Sequence, residues 1–166
     1  NMYTQPSTNS PIKKYMAMIE SLDYEVGRLL NSLTPSEKIN TTIIFIGDNG
    51  TPNNLLQDYP ANHGKKTLYQ GGIHVPMFVS GYGVTRIGET ENALVNVIDI
   101  YASIVEISGT NLPGGIYNSL SFKHLLSSSI LPKRQFNFSE IDTNQGSINT
   151  QGYTIRDSTY KLIEYY

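Results

Sequence analysis

Asp48-Asn49-Gly50 follows directly on the apolar run Ile43-Ile44-Phe45-Ile46-Gly47. A carboxylate and an amide at the end of a buried strand, released by a glycine, make a compact pair of oxygen donors. Open α/β sheets bind ligands beyond the carboxyl ends of their strands, and hard oxygen donors suit Ca²⁺ or Mg²⁺ better than a soft metal. The same residue types also form turns, and on local composition alone the turn is the commoner outcome. A second group is His63-Gly64-Lys65-Lys66-Thr67-Leu68-Tyr69-Gln70-Gly71-Gly72. A lysine on a glycine-containing loop near a cation suits a tetrahedral oxyanion, because its compact ammonium neutralises charge developing on a leaving oxygen. The glycines permit close backbone approach. The GxxxxGK[ST] spacing of a phosphate-cradling loop is absent, and two loop lysines are more often simply solvated.

The elements that must position these groups are legible. Pro11 suits a first helical position. Ile12, Tyr15, Ile19, Leu22, Val26, Leu30 and Leu33 then step by three or four, predicting a helix with one stripe toward a core, ended at Thr34-Pro35. Asp23, beside the stripe, reads as a solvated or capping carboxylate. Residues 41–47 are β-branched and apolar on both faces, predicting a fully buried strand parallel to its neighbours. A polar loop over 51–66 follows. Gly71-Gly72 then turns the chain into a second buried strand over 73–79, where Pro76 signals an irregularity.

Residues 92–97 supply a short strand in this reading. Asp99 N-caps a helix through Ile107 that ends at Gly109, and 122–126 form a short helix. Beyond Pro132 the pattern changes to three short strands, 135–141, 151–156 and 159–165, the last two joined as a hairpin across Asp157-Ser158.

The chain has 166 residues, which is about one domain. Its 39% apolar and 16% charged residues fit a soluble globular protein. A net charge of −2 gives no basic field for nucleic acid, and no apolar run is long enough for a membrane span. With no cysteine there is no disulfide, thiolate nucleophile or zinc–thiolate site. Asn40-Thr41-Thr42 and Asn137-Phe138-Ser139 match the glycosylation acceptor pattern, triplets that arise easily by chance. Residues 1–8 are polar, lack a secretory apolar core and read as a loop entered midway.

Taken together, the segments resemble the second half of the catalytic domain of a sulfatase, within the alkaline-phosphatase-like superfamily. Tyr15-Met16-Ala17-Met18-Ile19-Glu20-Ser21-Leu22-Asp23 with Val26-Gly27-Arg28-Leu29-Leu30 is similar to the family's helix before the metal strand. Thr41-Thr42-Ile43-Ile44-Phe45-Ile46-Gly47-Asp48-Asn49-Gly50 resembles that strand, and Gly64-Lys65-Lys66-Thr67-Leu68-Tyr69-Gln70-Gly71-Gly72-Ile73-His74-Val75-Pro76 resembles its lysine loop. The next helix, over 96–109, then Asn118-Ser119-Leu120, and finally Thr154-Ile155-Arg156-Asp157 with Tyr160-Lys161-Leu162-Ile163 follow in family order.

The resemblance implies an α/β fold, with part of a mixed or parallel sheet flanked by helices over 1–133 and the start of a small antiparallel subdomain over 134–166. It implies Asp48 and Asn49 as ligands of a divalent cation, usually Ca²⁺ in sulfatases, and Lys65 as the contact to the sulfate ester. Lys66 ranks below Lys65. His63, His74 and His124 have no catalytic counterpart, and Gln70 replaces a common glutamate. The expected substrate is a sulfated small molecule or glycan, in the periplasm or outside the cell.

Departures from the pattern matter too. The family's formylglycine nucleophile arises from Cys/Ser-x-Pro-x-Arg, whereas the one x-Pro-x-Arg stretch here is Ile130-Leu131-Pro132-Lys133-Arg134, with isoleucine at the nucleophile position. The upstream acidic ligands, histidine and lysine are also absent. The chain therefore reads as a piece of a longer enzyme, inactive alone, whose partner is the missing N-terminal half carrying formylglycine. Two alternatives stay open. One is a phosphodiesterase or phosphoglycerol transferase of the same superfamily, although such relatives tend to place Asp-His where Asp48-Asn49 stands. The other is a non-catalytic ligand-binding homologue.

Overall fold

The computed structural model describes residues 10–128, 134–142 and 151–166. Helix α1 spans Pro11–Ser32, with Pro11 in its first turn. A second helix not foreseen from the sequence, α2, spans Pro35–Asn40. The Thr34-Pro35 pair that stops α1 starts α2: Thr34 and Glu37 form a reciprocal capping box, and Pro35 occupies the first turn. The two hydrogen bonds from the Thr34 backbone and hydroxyl hold the Glu37 carboxyl below the usual carboxylate range. Strand β1 (Thr42–Ile46) follows, then a 3-10 turn over Asn53–Leu55, a single helical turn α3 (Gln70–Ile73) and strand β2 (Met77–Gly81).

β1 and β2 pair antiparallel, which corrects the expectation of parallel neighbours for β1. β1 is also half-buried rather than fully buried. The register explains the mixed exposure. Ile44 opposes Val79 and Ile46 opposes Met77, and Ile44, Met77 and Val79 pack on the core. On the other face Phe45 opposes Phe78, their ring centroids 6.1 Å apart, and Phe78 stays 66% exposed. The second strand begins at Met77 rather than 73, because Gln70–Ile73 closes a helical turn. Pro76, which has no N–H to give to a ladder, still accepts from the Gly47 N–H at 3.0 Å.

Helix α4 spans Asp99–Ile107, with Gly109 in the left-handed conformation just past its end. Asp99 is its first residue, not its N-cap, and residues 92–97 are irregular rather than a strand. The reason lies in the Asp99 carboxylate. It is 1% exposed, accepts from the Asn96 and Leu120 N–H groups, and is gripped by the Arg134 guanidinium at 2.7 and 2.5 Å. The backbone N–H of Asn96 is thereby drawn into a turn and is lost to any sheet ladder.

A short 3-10 helix over Lys123–Leu126 and its N-cap Phe122 supply the core residues Phe122, Leu125 and Leu126, packed against Ile44, Met77, Val79, Ile100 and Ile107. No residue of α1 is buried; of its predicted stripe, Ile19 and Leu22 are exposed, whereas Ile12, Tyr15, Val26, Leu30 and Leu33 are partly covered. Asp23 is exposed.

The C-terminal segment is an antiparallel sheet, β3 (Asn137–Asp142), β4 (Gln151–Arg156) and β5 (Lys161–Tyr165), in the order β3-β4-β5. The β4–β5 hairpin is the expected one. Its turn is set by Asp157, whose carboxylate accepts from the Thr159 and Tyr160 N–H groups at 2.7 and 2.6 Å. The Asn137 side-chain amide of one acceptor triplet is engaged with the Val95 carbonyl. The expected opening loop over 1–8, the x-Pro-x-Arg positions 130–133 and the boundary residue 133 lie outside the described residues.

Candidate functional site

β1 delivers the chain into Gly47-Asp48-Asn49-Gly50. Asp48 and Asn49 are exposed, and Gly50 is buried. The Gly50 N–H donates to the Gly72 carbonyl at 3.1 Å and the Thr51 N–H to the Gly71 carbonyl at 3.0 Å. A Cβ on Gly50 would stand 2.2 Å from the Gly71 carbonyl oxygen, so only glycine lets these two segments lie this close. The donor pair Asp48-Asn49 is thus fixed between the last rung of β1 and a backbone clamp two residues on.

The lysine loop is built the same way. The Gly64 N–H donates to Asn53 Oδ1 at 3.0 Å, the Lys65 N–H to the Thr51 carbonyl at 2.7 Å, and Thr67 Oγ1 to the Gly64 carbonyl at 2.7 Å. A Cβ on Gly72 would lie 2.2 Å from the Thr67 carbonyl and 2.6 Å from that of Gly64. The ring of His63 stacks on Tyr69 at 3.7 Å, which gives this histidine a packing role. Lys66 adopts φ +71, a left-handed conformation uncommon for a side chain of this size. Lys65 and Lys66 are both exposed.

The structure therefore brings the backbones of the two sequence-predicted groups together. Lys65 bonds to Thr51, which stands three positions after Asp48, and Gly50 bonds to Gly72 at the end of the lysine loop. His74 is exposed at the end of α3, and His124 lies in the 3-10 helix with Leu125 and Leu126.

One residue of this neighbourhood escaped the sequence reading. Lys161 Nζ, on β5, donates to the Leu68 carbonyl at 2.5 Å and to Gln70 Oε1 at 3.2 Å. Burial, with a smaller contribution from Arg156, lowers the Lys161 pKa. A signal existed. Lys161, Ile163 and Tyr165 are partly buried on one face of β5, while Leu162 and Glu164 are exposed on the other. A lysine in phase with Ile163 and out of phase with Glu164 should point inward. At position 70 the acceptor is a neutral side-chain amide oxygen.

Asp48 and Asn49 fit a hard divalent cation in kind. Ca²⁺ takes roughly six to eight oxygens, so the pair supplies part of a shell. Among the described residues no group of three or more His, Cys, Asp or Glu side chains is placed to hold a metal. The residues present do not fit formylglycine, since the chain has no cysteine and Ile130 stands at the nucleophile position of its x-Pro-x-Arg stretch. No helix among the described residues is long and apolar enough to cross a membrane.

Comparison with known proteins places this geometry in context. The family described as Sulfatase matches residues 2–110. A sulfatase of Formosa agariphila is 33% identical over 125 residues, covering 68% of this chain and 22% of the relative. Arylsulfatase K of Xenopus laevis is 24% identical over 173 residues, covering 98% and 31%. Among solved structures, BT4656 in complex with its substrate D-glucosamine-2-N,6-O-disulfate superposes with a TM-score of 0.76 at 23% identity, over 92% of this chain and 31% of that one. BT1596, a 2-O GAG sulfatase, gives 0.69 at 19% identity, over 87% and 31%. These neighbours share the fold, of which this chain holds a part. The chain spans about a fifth to a third of the length of the relatives it matches.

Proposed function

This chain belongs to the sulfatase family, and from that premise we propose that it is the part of a sulfuric ester hydrolase that holds the ester's charge. The observation that carries the reading is the clamp between the loops: the Lys65 N–H on the Thr51 carbonyl, and Gly50 and Thr51 on Gly72 and Gly71. It presents an acidic–amide donor pair and a lysine from adjoining backbone segments, as a site for a cation and an oxyanion requires.

In this reading Asp48 and Asn49 hold a divalent cation, Ca²⁺ by the family's habit, together with oxygens supplied from elsewhere in the longer protein. When bound, that cation neutralises charge on the ester oxygens. Lys65 contacts the sulfate ester and stabilises the leaving oxygen. Its ammonium offers three donors and a compact positive charge, and the backbone bond to Thr51 fixes the position from which it reaches. No nucleophilic step is assigned to this chain. A sulfated glycan is the substrate class we favour, because a fold neighbour binds a sulfated glucosamine.

The test is an assay of the full-length protein that carries this sequence, with aryl and glycan sulfate esters beside the matching phosphate esters. Hydrolysis of sulfates over phosphates is expected, with a loss of about 10²–10³ in kcat for Lys65→Ala and no turnover by the 166-residue chain alone. Preference for phosphate esters would favour the phosphodiesterase-like alternative. Binding of a sulfated ligand without turnover would favour the non-catalytic one.

A further inference from the structure

We propose that Lys161 is a positioning residue: a strut from the C-terminal sheet that fixes the segment between Lys65 and the Gly71-Gly72 clamp. The inference rests on the reading of Lys65 as the sulfate contact and extends it to a residue 96 positions away in sequence.

The geometry is specific. Lys161 opens β5, and its ammonium crosses to two oxygens of one short segment, the Leu68 carbonyl and Gln70 Oε1. Leu68 is 1% exposed, so its carbonyl sits where water is a poor substitute for a donor, and a buried acceptor left unmade is costly. Gln70 is the first residue of α3, and the Tyr69 carbonyl just before it takes the Gly72 and Ile73 N–H groups. Gly72 in turn carries the clamp to Gly50. Holding Leu68 and Gln70 therefore holds the end of the lysine loop nearest the Asp48–Gly50 segment.

The far end of the strut is rigid too. Thr154 on the adjoining strand is 1% exposed, with its hydroxyl on the Leu162 carbonyl. Gly152 admits the β5 backbone so closely that a Cβ would meet the Glu164 carbonyl at 2.2 Å. Both acceptors of the ammonium are neutral oxygens. A carboxylate at position 70 would make the contact a charge pair and strengthen it.

The experiment is residue-resolved hydrogen exchange on the full chain, comparing the unaltered protein with Lys161→Met, Lys161→Arg and Gln70→Glu, alongside titration with inorganic sulfate. In Lys161→Met, exchange of the Lys65, Gly72 and Ile73 amides is expected to rise about tenfold while Ile44 in β1 keeps its protection. Lys161→Arg restores most of the loss. Gln70→Glu slows the same loop amides, a gain that unfolding cannot mimic. Unchanged loop exchange in Lys161→Met overturns the proposal. If that variant loses protection everywhere, Gln70→Glu decides: slower loop exchange supports the strut, and no slowing overturns it. Loop protection that follows the strut while sulfate fails to perturb Lys65 in the unaltered chain supports the strut and overturns the assignment of Lys65 as the sulfate contact.

Discussion

The backbone N–H of Lys65 donates to the carbonyl of Thr51 at 2.7 Å, so main chain ties the lysine loop to the strand-end loop, beside the Asn53 side chain that accepts from the Gly64 N–H. The tie depends on glycines that admit it. A Cβ on Gly72 would collide with the Thr67 and Gly64 carbonyls, whereas one on Gly27, in the middle of α1, would meet nothing within 4 Å. Gly72→Ala is therefore expected to lower stability by more than about 1 kcal/mol. Gly27→Ala should raise it by about 1 kcal/mol, the helix-propensity difference. Paired urea melts check both, and equal effects would remove the argument for interlocking.

Lys66 stands at φ +71 beside Lys65. A lysine held in the left-handed region carries strain of about 1–2 kcal/mol, which glycine does not share. Lys66→Gly is expected to leave stability unchanged or raise it by up to about 1 kcal/mol, and Lys66→Val to lower it by at least that much. Sulfate affinity should survive Lys66→Gly and be lost in Lys65→Ala. The reverse order, read by NMR titration with inorganic sulfate, would move the contact to Lys66.

The Asp99–Arg134 pair is buried at the carboxylate and largely covered at the guanidinium, with the side chains 2% and 11% exposed. Arg134 also donates to the Asn118 and Phe136 carbonyls. Removing one partner of such a pair strands the other's charge, so Arg134→Met is expected to cost about 3–5 kcal/mol. Asp99→Asn/Arg134→Met together should cost less than the sum of the single changes. A double-mutant cycle by denaturant melts measures this, and strict additivity would contradict it.

Asp157 sets the β4–β5 turn, and its carboxyl is held below the ordinary range first by the Tyr160 N–H and then by that of Thr159. A depressed folded pKa means that the stabilisation is fully present above the unfolded value, about 3.9. It is lost as pH falls through the lower folded value. Asp157→Asn keeps an acceptor oxygen but has nothing to titrate. The pH dependence of its melting temperature should be shallower below about pH 4 than that of the unaltered chain. Parallel slopes would place the acid sensitivity elsewhere, for instance at Glu37.

Much of this was readable from residues alone, for reasons that differ by element. α1 announces itself because a three-to-four step of apolar positions is a long-range average that local chemistry cannot hide. β4 and β5 do so because Asp157-Ser158 interrupts two short β-prone runs. The direction of β1 was not legible, since apolar character on both faces reports burial and says nothing about which neighbour pairs with it. Residues 92–97 misled because strand propensity there yields to the Asp99 carboxylate, whose partner Arg134 lies 35 positions away. For the site, the residue types at 48, 49 and 65 were visible, and so was the need for glycine around them. The backbone bond that joins the two loops was not, because main-chain contacts leave no trace in side-chain identity. Lys161 was legible in principle from its phase with Ile163, but only once β5 had been placed.

The two-strand pairing of β1 with β2 has a practical corollary. Among the described residues each of these strands has a neighbour on one side only, and Phe78 stands bare on the face away from the core. A solvent-facing ribbon of this kind is a template onto which another molecule's backbone can dock. Handling the 166-residue chain in concentrated solution should therefore drive oligomers and eventually precipitate. Dilute, cold working stocks suit it better than concentrated ones, and a charged substitution at Phe78 is the natural remedy.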